Sequence, residues 1–296
     1  QTKLSSMVLE SLINSIKAEE HPGKMFFYGF VYFSIAVVLS MWIFPDQSSL
    51  LAVFFTTIAA VPLMYNTIRF EEKKDLSDMG EGQLLKEHKK AISLYLFMFL
   101  GIVIATAIWF IFLPENIIYS LFKVQSQTIT EINSNVEGNV FKSFSTMFPV
   151  FTKILSNNLK VLIICILFSF LYGVGALFIL TWNASVIGVA IGSSIKTAIS
   201  KLVSSTGTVT AIKYFEVYSI GFLKYSIHGI PEILSYLVAA LAGGIISVAV
   251  IKHDLGSDKF EKIILDSSTL ILISLIFVLV AAFLEVYVTP YVFYGA

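Results

Sequence analysis

Seven stretches of this chain are long and apolar enough to cross a lipid bilayer. They cover about residues 26–44, 50–68, 92–113, 159–180, 184–201, 231–252 and 266–288. A helix needs about 20 apolar residues to cross roughly 30 Å of hydrocarbon, and a chain inside hydrocarbon must satisfy its backbone polar groups internally. The sequence therefore predicts an all-α fold, a polytopic membrane helical bundle of about seven transmembrane helices.

Composition narrows the classes of function. Hydrophobic residues make up 56% of the chain and charged residues only 14%, far from the balance of soluble proteins. The 20 basic and 20 acidic side chains cancel, so no net field attracts nucleic acid and no nucleic-acid partner is expected. Membrane lipids are the expected surroundings. The lone cysteine, Cys165, is expected to be a buried apolar side chain.

The sequence predicts four parts. Residues 1–25 are expected to form an interfacial amphipathic helix, residues 26–70 a transmembrane hairpin, residues 71–91 a cytoplasmic loop and residues 92–296 the main membrane domain. Lysines concentrate in the loops that a cytoplasmic N-terminus would place inside the cell. We therefore expect a multi-pass protein of the cell membrane with its N-terminus in the cytoplasm and its C-terminus outside.

Three segments between the spans have structure of their own. As a helix, residues 214–227 would reach only about 21 Å, so a short re-entrant or interfacial half-helix is predicted there. The segment Val140–Leu155 has apolar residues at three-and-four spacing and predicts an interfacial elbow that Pro149 kinks or splits. The polar segment 115–139 predicts a loop or a short helix on the outer face.

His228 and Glu232 are ionisable groups at the start of the sixth span, on either side of Pro231. Pro231 is expected in the first helical turn, where its missing N–H costs nothing. Three interpretations remain open for the pair: a helix cap at the interface, a hydrogen-bond network inside the bundle, or a proton or ion pathway.

The other polar candidates lie near predicted span boundaries. Asn157, Asn158 and Asn183 are expected to cap helices. Glu285 is expected at headgroup level beside tyrosines of an aromatic belt. The alternative is an ion pair between Glu285 and Lys160 or Lys224.

Small residues recur at helical spacing in two spans. They are Gly188 and Gly192 in the fifth span and Ser235, Ala239, Gly243 and Ser247 in the sixth. Such faces allow helix backbones to approach closely in lipid. We therefore expect these two helices to pack against each other or against a second subunit, as in a homodimer.

Neither a metal centre nor a catalytic arrangement is predicted. One histidine and one glutamate fall short of the ligands that a zinc site requires, and no phosphate-binding loop is present in the sequence. Serines are frequent, but none shares the middle of a span with a histidine, as nucleophilic hydrolysis would require. We expect no cofactor and no enzymatic activity.

The order and spacing of several motifs from about residue 85 to the C-terminus resemble the stage II sporulation protein M family. These motifs are Lys86-Glu87-His88, Ser93-Leu94-Tyr95-Leu96-Phe97, Asn157-Asn158, Gly173 with Gly175, Asn183 with Gly188, His228-Gly229-Ile230-Pro231-Glu232, Gly243-Gly244, and Phe283-Leu284-Glu285-Val286-Tyr287-Val288-Thr289-Pro290. The chain departs from the family where Asn183 is followed by Ala184 rather than glycine. The first two spans lie outside this match and look like an added hairpin.

The resemblance implies a membrane scaffold that acts with a cell-wall hydrolase, although many members come from organisms that form no spores. It transfers no catalytic residues. Two functions remain open: a scaffold or regulator of a cell-envelope membrane complex with an envelope protein as partner, or a channel or secondary transporter with a polar pathway around His228 and Glu232. A transporter is favoured if residues 214–227 and the fifth span are paired broken helices.

Overall fold

The computed structural model describes residues 19–77, 79–137, 144–206, 211–252 and 256–294. In these ranges every regular element is helical. The helices are α1 (Lys24–Ile43), α2 (Ser48–Asp75), α3 (Glu81–Phe112), α4 (Glu115–Leu121), α5 (Lys123–Glu137), α6 (Phe144–Tyr172), α7 (Ala176–Thr206), α8 (Ala211–Lys252), α9 (Asp258–Phe283) and α10 (Thr289–Tyr294), with a 3₁₀ turn at Pro45–Gln47 and a π-helical turn at Leu284–Val288. Seven helical segments of the described chain are long and apolar enough to cross a membrane. The predicted all-α polytopic bundle is confirmed.

Helix α8 forms the centre of the bundle. Within its apolar segment Tyr225–Lys252, 83% of the most apolar stretch is buried, and it packs mainly against α9 and α6. Tyr236 of α8 is the largest fully buried side chain among the described residues. The corresponding buried shares in α1, α6 and α9 are only 28%, 22% and 33%. These three peripheral helices therefore present their apolar side chains outward, as expected of helices that face lipid.

Glycines set the closest helix crossings. A Cβ atom added to Gly29 of α1 would overlap the backbone of Met98 in α3, and one added to Gly101 of α3 would overlap the backbone of Phe26 in α1. The two glycines thus bring α1 and α3 into backbone contact. The first hairpin is part of the bundle and not an appendage to it.

The predicted small-residue faces have partners different from those expected. A Cβ atom on Gly188 would meet Val103 and Thr106 of α3. One on Gly243 would meet Ile166 and Ser169 of α6. Gly188 of α7 therefore packs against α3, and Gly243 of α8 packs against α6. At these glycines, α7 and α8 do not pack against each other. Since they are filled inside one chain, the glycine crossings are not available to a second subunit.

The short half-helix predicted at residues 214–227 is not a separate element. Helix α8 runs without interruption from Ala211 to Lys252, with Pro231 in its interior rather than in its first turn. Its 42 residues correspond to about 63 Å at 1.5 Å per residue, so it extends well beyond a bilayer core. The fifth span is likewise one continuous helix, α7. Neither broken helix on which the transporter prediction rested is present.

Other predicted segments also differ from the structure in where their helices begin and end. Pro149 lies inside the continuous helix α6, so the predicted elbow is not split, although the proline removes one backbone hydrogen bond of the helix. The polar segment after the third span forms the short helices α4 and α5. Helices α2 and α3 extend into the predicted loop of residues 71–91. Of the predicted helix at residues 1–25, residues 1–18 lie outside the described residues.

Candidate functional site

Two carboxylates lie near each other inside the bundle, one on α8 and one on the π-helical turn. Glu232 is partly buried on α8, and its Oε1 accepts a hydrogen bond of 2.9 Å from the hydroxyl of Tyr236, one turn further along the helix. Glu285 is also partly buried, and its carboxyl group is close enough to interact electrostatically with Glu232. We call His228, Glu232, Tyr236, Glu285 and Thr289 the acidic site. A pair of like charges within apolar surroundings favours retention of a proton or recruitment of a cation.

The π-helical turn positions this site. The backbone N–H of Thr289 bonds to the Leu284 carbonyl five residues earlier, and the Thr289 hydroxyl donates to the same oxygen at 3.0 Å. The Thr289 Oγ1 also lies 3.2 Å from Nδ1 of His228. Because the hydroxyl proton is directed to Leu284, the Thr289 oxygen accepts from an Nδ1–H, a tautomer assigned from the hydrogen-bond pattern. π-Helical turns are frequent at functional sites.

The roles predicted for the polar candidates differ from their observed environments. His228 lies in the interior of α8 and contacts the last membrane segment, so it does not cap the helix. Asn183 lies inside α7 and donates to the Ile179 carbonyl at 2.8 Å, within its own helix. Asn157 and Asn158 lie in the middle of α6 and not at its start. Capping fails for all of these because the helices are longer than the apolar runs that predicted them.

Asn158 is the most buried of the amides. It is 5% exposed, and its Nδ2 has no hydrogen-bond acceptor among the described residues. Helix α6 runs parallel to α8, since Gly243 faces Ile166 while Tyr287 beside the acidic site packs on Phe151, with ring centroids 6.1 Å apart. Asn158 therefore lies at about the level of the acidic site. Asn157, its neighbour, is exposed.

Glu285 has a different neighbour from those predicted. Among the described residues it forms no ion pair with Lys160, which is exposed on α6, and the Lys224 side chain lies outside the described residues. The charged group that interacts electrostatically with Glu285 is Glu232. The π-helical turn directs the carboxylate into the bundle, and no sequence pattern indicates such a turn.

A second polar constellation lies at the opposite end of the bundle, and the sequence prediction missed it. The charged network comprises Glu19, Glu71, Lys74, Asp75 and His88. Lys74 lies 2.8 Å from Glu19 and 2.6 Å from Glu71. His88 has a carboxylate at each ring nitrogen, with Glu71 2.6 Å from Nδ1 and Asp75 3.1 Å from Nε2. When the ring is an imidazolium, Nδ1 donates a hydrogen bond to Glu71, whereas Nε2 contacts Asp75 as an ion pair without the geometry of a hydrogen bond.

The charged network is almost fully buried. Glu71 and Asp75 are 0% exposed and His88 is 1% exposed. Burial raises the pKa of the Glu19 carboxyl to about 7, with Lys74 opposing that shift and Glu71 adding to it. A buried ion pair repays its desolvation only when its partners are well placed, and removing one partner leaves an uncompensated charge.

The charged network joins three elements, and two further contacts beside it attach α8 and α9. Glu19 belongs to the segment before α1, the next three members lie at the end of α2, and His88 lies at the start of α3. Beside it, Lys252 at the end of α8 pairs with Glu72 at 2.7 Å, and Lys262 of α9 donates to the Ser77 carbonyl. The sequence signal was available: residues 71, 74 and 75 share one helical face. It was missed because the segment was interpreted as a loop.

Neither constellation has the composition of a metal centre. Across the described ranges, no group of three or more His, Cys, Asp or Glu side chains is arranged to hold a metal ion. Cys165 is buried and free. The chemistry available at the acidic site is therefore proton exchange, hydrogen bonding and attraction of a cation, whereas the charged network is arranged to hold helix ends together.

Comparisons with known proteins agree with the architecture. The family described as stage II sporulation protein M matches residues 29–290. That match includes most of the first hairpin, which the sequence resemblance had left outside. An uncharacterized protein of Methanocaldococcus jannaschii is 33% identical over 172 residues, covering 56% of this chain and 84% of that protein. No solved structure matches.

Proposed function

Because this chain belongs to the stage II sporulation protein M family of membrane proteins, we propose that it is a non-enzymatic scaffold or regulator of a cell-envelope membrane complex. The observation that carries the proposal is the close packing of the bundle around α8. Its apolar core is continuous, from Met25 of α1 to Val278 of α9. A bundle filled in this way offers its surfaces, and not an interior passage, for function.

The surfaces in question belong to the peripheral helices. Phe168 of α6 is 44% exposed and Leu272 of α9 is 61% exposed. Exposed apolar faces of this kind contact either lipid or the helices of a neighbouring membrane protein. The partner is either a second copy of this chain, giving a homodimer, or another envelope membrane protein.

Photo-crosslinking in the native membrane tests the scaffold proposal. A photoreactive amino acid is placed at Phe168 or at Leu272, and the fully buried Tyr236 serves as the control position. We expect a discrete protein adduct from at least one peripheral position and none from Tyr236. Its mass distinguishes a second copy from a different protein. Lipid adducts alone from both peripheral positions contradict the scaffold.

One specific observation supports a second candidate, a proton- or cation-coupled transporter. Glu232 and Glu285 interact inside the bundle, and His228 is hydrogen-bonded to the same turn that carries Glu285. Ionisable groups at such depth commonly mark an ion or proton pathway. Against this candidate, α7 and α8 are unbroken helices.

A flux measurement separates the two candidates. Proteoliposomes with an entrapped pH dye report proton entry after an imposed potential, with protein-free vesicles as the baseline. The scaffold predicts a rate equal to that baseline for wild type and for Glu232→Gln. A wild-type rate well above baseline that Glu232→Gln abolishes, while the exposed-residue control Lys160→Gln retains it, establishes the transporter instead.

A further inference from the structure

A large cleft, lined by several charged and hydroxyl-bearing residues, lies between α5 and α7, at the end of the bundle where α3 gives way to α4. Its volume is about 1120 Å³, and it does not include any residue of the acidic site in its lining. We call it the α5–α7 cleft. The wall formed by α7 consists of Ser193, Lys196, Thr197, Ser200 and Lys201, positions that share one helical face.

The wall formed by α5 has the same spacing and similar chemistry. It includes Lys123, Ser126 and Gln127. The two walls together present three lysines and several hydroxyl and amide groups toward one space, against the two carboxylates Glu115 and Glu131. The cleft is therefore rich in hydrogen-bond donors and carries a small excess of positive charge.

Lys196 is the least exposed of the three lysines that line this cleft. It is half-buried, whereas Lys123 and Lys201 are exposed. Within the described part of the chain, no carboxylate forms an ion pair with Lys196. A partly desolvated ammonium without a protein anion favours an external one. Ser193 and Thr197 lie beside it on the same face of α7, where their hydroxyls can add donors.

The depth of the cleft indicates where the anion comes from. Its floor includes Phe110 and its rim Tyr119, and Tyr119 is 73% exposed. Tyrosines concentrate at the membrane–water interface, at the level of lipid headgroups. Along α7, Lys196 lies between Gly192, which faces Phe110, and the end of the helix.

We propose that the α5–α7 cleft binds a phosphate group, with Lys196 as the principal ligand and the hydroxyls of Ser193 and Thr197 as supporting donors. Ammonium and hydroxyl donors suit phosphate because its oxygens accept several charge-assisted hydrogen bonds at once. The phosphate is carried either by an anionic lipid headgroup or by a soluble molecule. This inference is independent of the scaffold proposal.

Two probes test the phosphate site and distinguish its sources. Native mass spectrometry of the full chain in a neutral detergent counts bound phosphatidylglycerol, and a thermal-unfolding assay records the stabilisation produced by inorganic phosphate. We expect at least one probe to bind wild type, and Lys196→Gln to weaken that binding about tenfold, the effect of losing roughly one charged hydrogen bond. Phosphatidylglycerol binding alone assigns a lipid headgroup, and phosphate binding alone assigns a soluble ligand.

Matched variants keep the test specific. Lys160→Gln removes the same charge from an exposed position on α6, and we expect it to leave binding unchanged. Lys196→Arg retains a cation in the cleft and should retain most of the affinity. The ligand-free unfolding temperature of each variant shows whether it folds. Binding of neither probe, or an equal loss in Lys160→Gln and folded Lys196→Gln, overturns the proposal.

Discussion

At the scale of single residues, this protein depends on positions that tolerate very little change. Two kinds stand out: glycines at which helix backbones touch, and charged side chains that are buried with their partners. Because lipid tails are as apolar as the helix surfaces, the hydrophobic effect does not drive helices together in a membrane. Close packing and polar contacts therefore stabilise the bundle. Gly101 and His88 represent the two kinds.

Replacing Gly101 by alanine should destabilise the bundle by about 1–3 kcal/mol, the usual cost of overpacking. The added Cβ atom would overlap the backbone of Phe26, which cannot move without shifting α1. Gly82→Ala, in the same helix but with open space around its Cα, should be neutral or stabilising by up to about 1 kcal/mol. Unfolding by a denaturing detergent measures both, and equal effects would show that the α1–α3 crossing is not tight.

Replacing His88 by alanine should cost about 3–5 kcal/mol, because Asp75 would remain buried without its cation and Glu71 would keep only Lys74. The control is Lys90→Ala. Lys90 pairs with Glu87 at 2.6 Å but is 52% exposed, and losing an exposed pair costs less than about 1 kcal/mol. The same unfolding assay compares them. A His88 variant as stable as the Lys90 variant would mean that the charged network does not stabilise the fold.

Residue-level prediction from the sequence succeeded where a pattern repeats and failed where contacts are tertiary. Gly188 and Gly192 were recognised as packing positions by their spacing, but the helix they contact is α3 and not α8. Gly29 and Gly101 are single glycines in their spans and give no repeating signal. The electrostatic contact between Glu232 and Glu285 joins residues more than 50 positions apart and depends on a π-helical turn.

At the scale of elements, the described residues before α1 include a buried carboxylate, Glu19, that contacts the bundle. Glu19 contacts Lys74, and Lys74 keeps a second partner in Glu71. Neutralising Glu19 therefore does not leave Lys74 unpaired. This arrangement makes docking of the N-terminal segment sensitive to pH.

Docking should weaken as the pH rises through neutrality. In the docked state the pKa of Glu19 is raised from 4.5 to about 7, so the docked state binds a proton that the undocked state has released in that range. The contribution of Glu19 to docking is thus fully present below about pH 4.5 and is lost as the pH rises to about 7. Nitroxide labels at Glu20 and Lys90, both exposed, report the distance by pulsed electron paramagnetic resonance.

Between about pH 5.5 and pH 8, the distance distribution of the labelled protein should broaden toward longer values. Glu19→Gln mimics the protonated side chain and should give the narrow distribution at both pH values. Cys165 is buried, so it should not compete for the label. A pH-independent distribution in the protein that retains Glu19 would refute the assignment of Glu19 as the pH-sensitive contact.

The sequence predicted which segments are helical spans but not how far each helix continues. Hydropathy reports the part of a helix that lies in hydrocarbon, and α8 and α2 both extend beyond it with polar residues. Pro231 was expected at a helix start because prolines favour that position. It lies instead in the interior of α8, a helix that packs mainly against α9 and α6.

At the scale of the whole molecule, polar side chains concentrate at three levels of a closely packed apolar bundle. The charged network secures one end, the acidic site lies within the bundle toward the other end, and the α5–α7 cleft opens beside α4. The described chain has seven helical segments long and apolar enough to cross a membrane. The lysine distribution predicts a cytoplasmic N-terminus, which remains a prediction.

The central claim is that this closed bundle functions by assembling with another membrane protein. Extraction of native membranes into polymer-bounded discs, without detergent, followed by mass determination of single particles, tests it directly. The scaffold account predicts a complex of defined mass that contains this chain with a second copy or another envelope protein in fixed proportion. Recovery of a single copy of this chain surrounded only by lipid would contradict it.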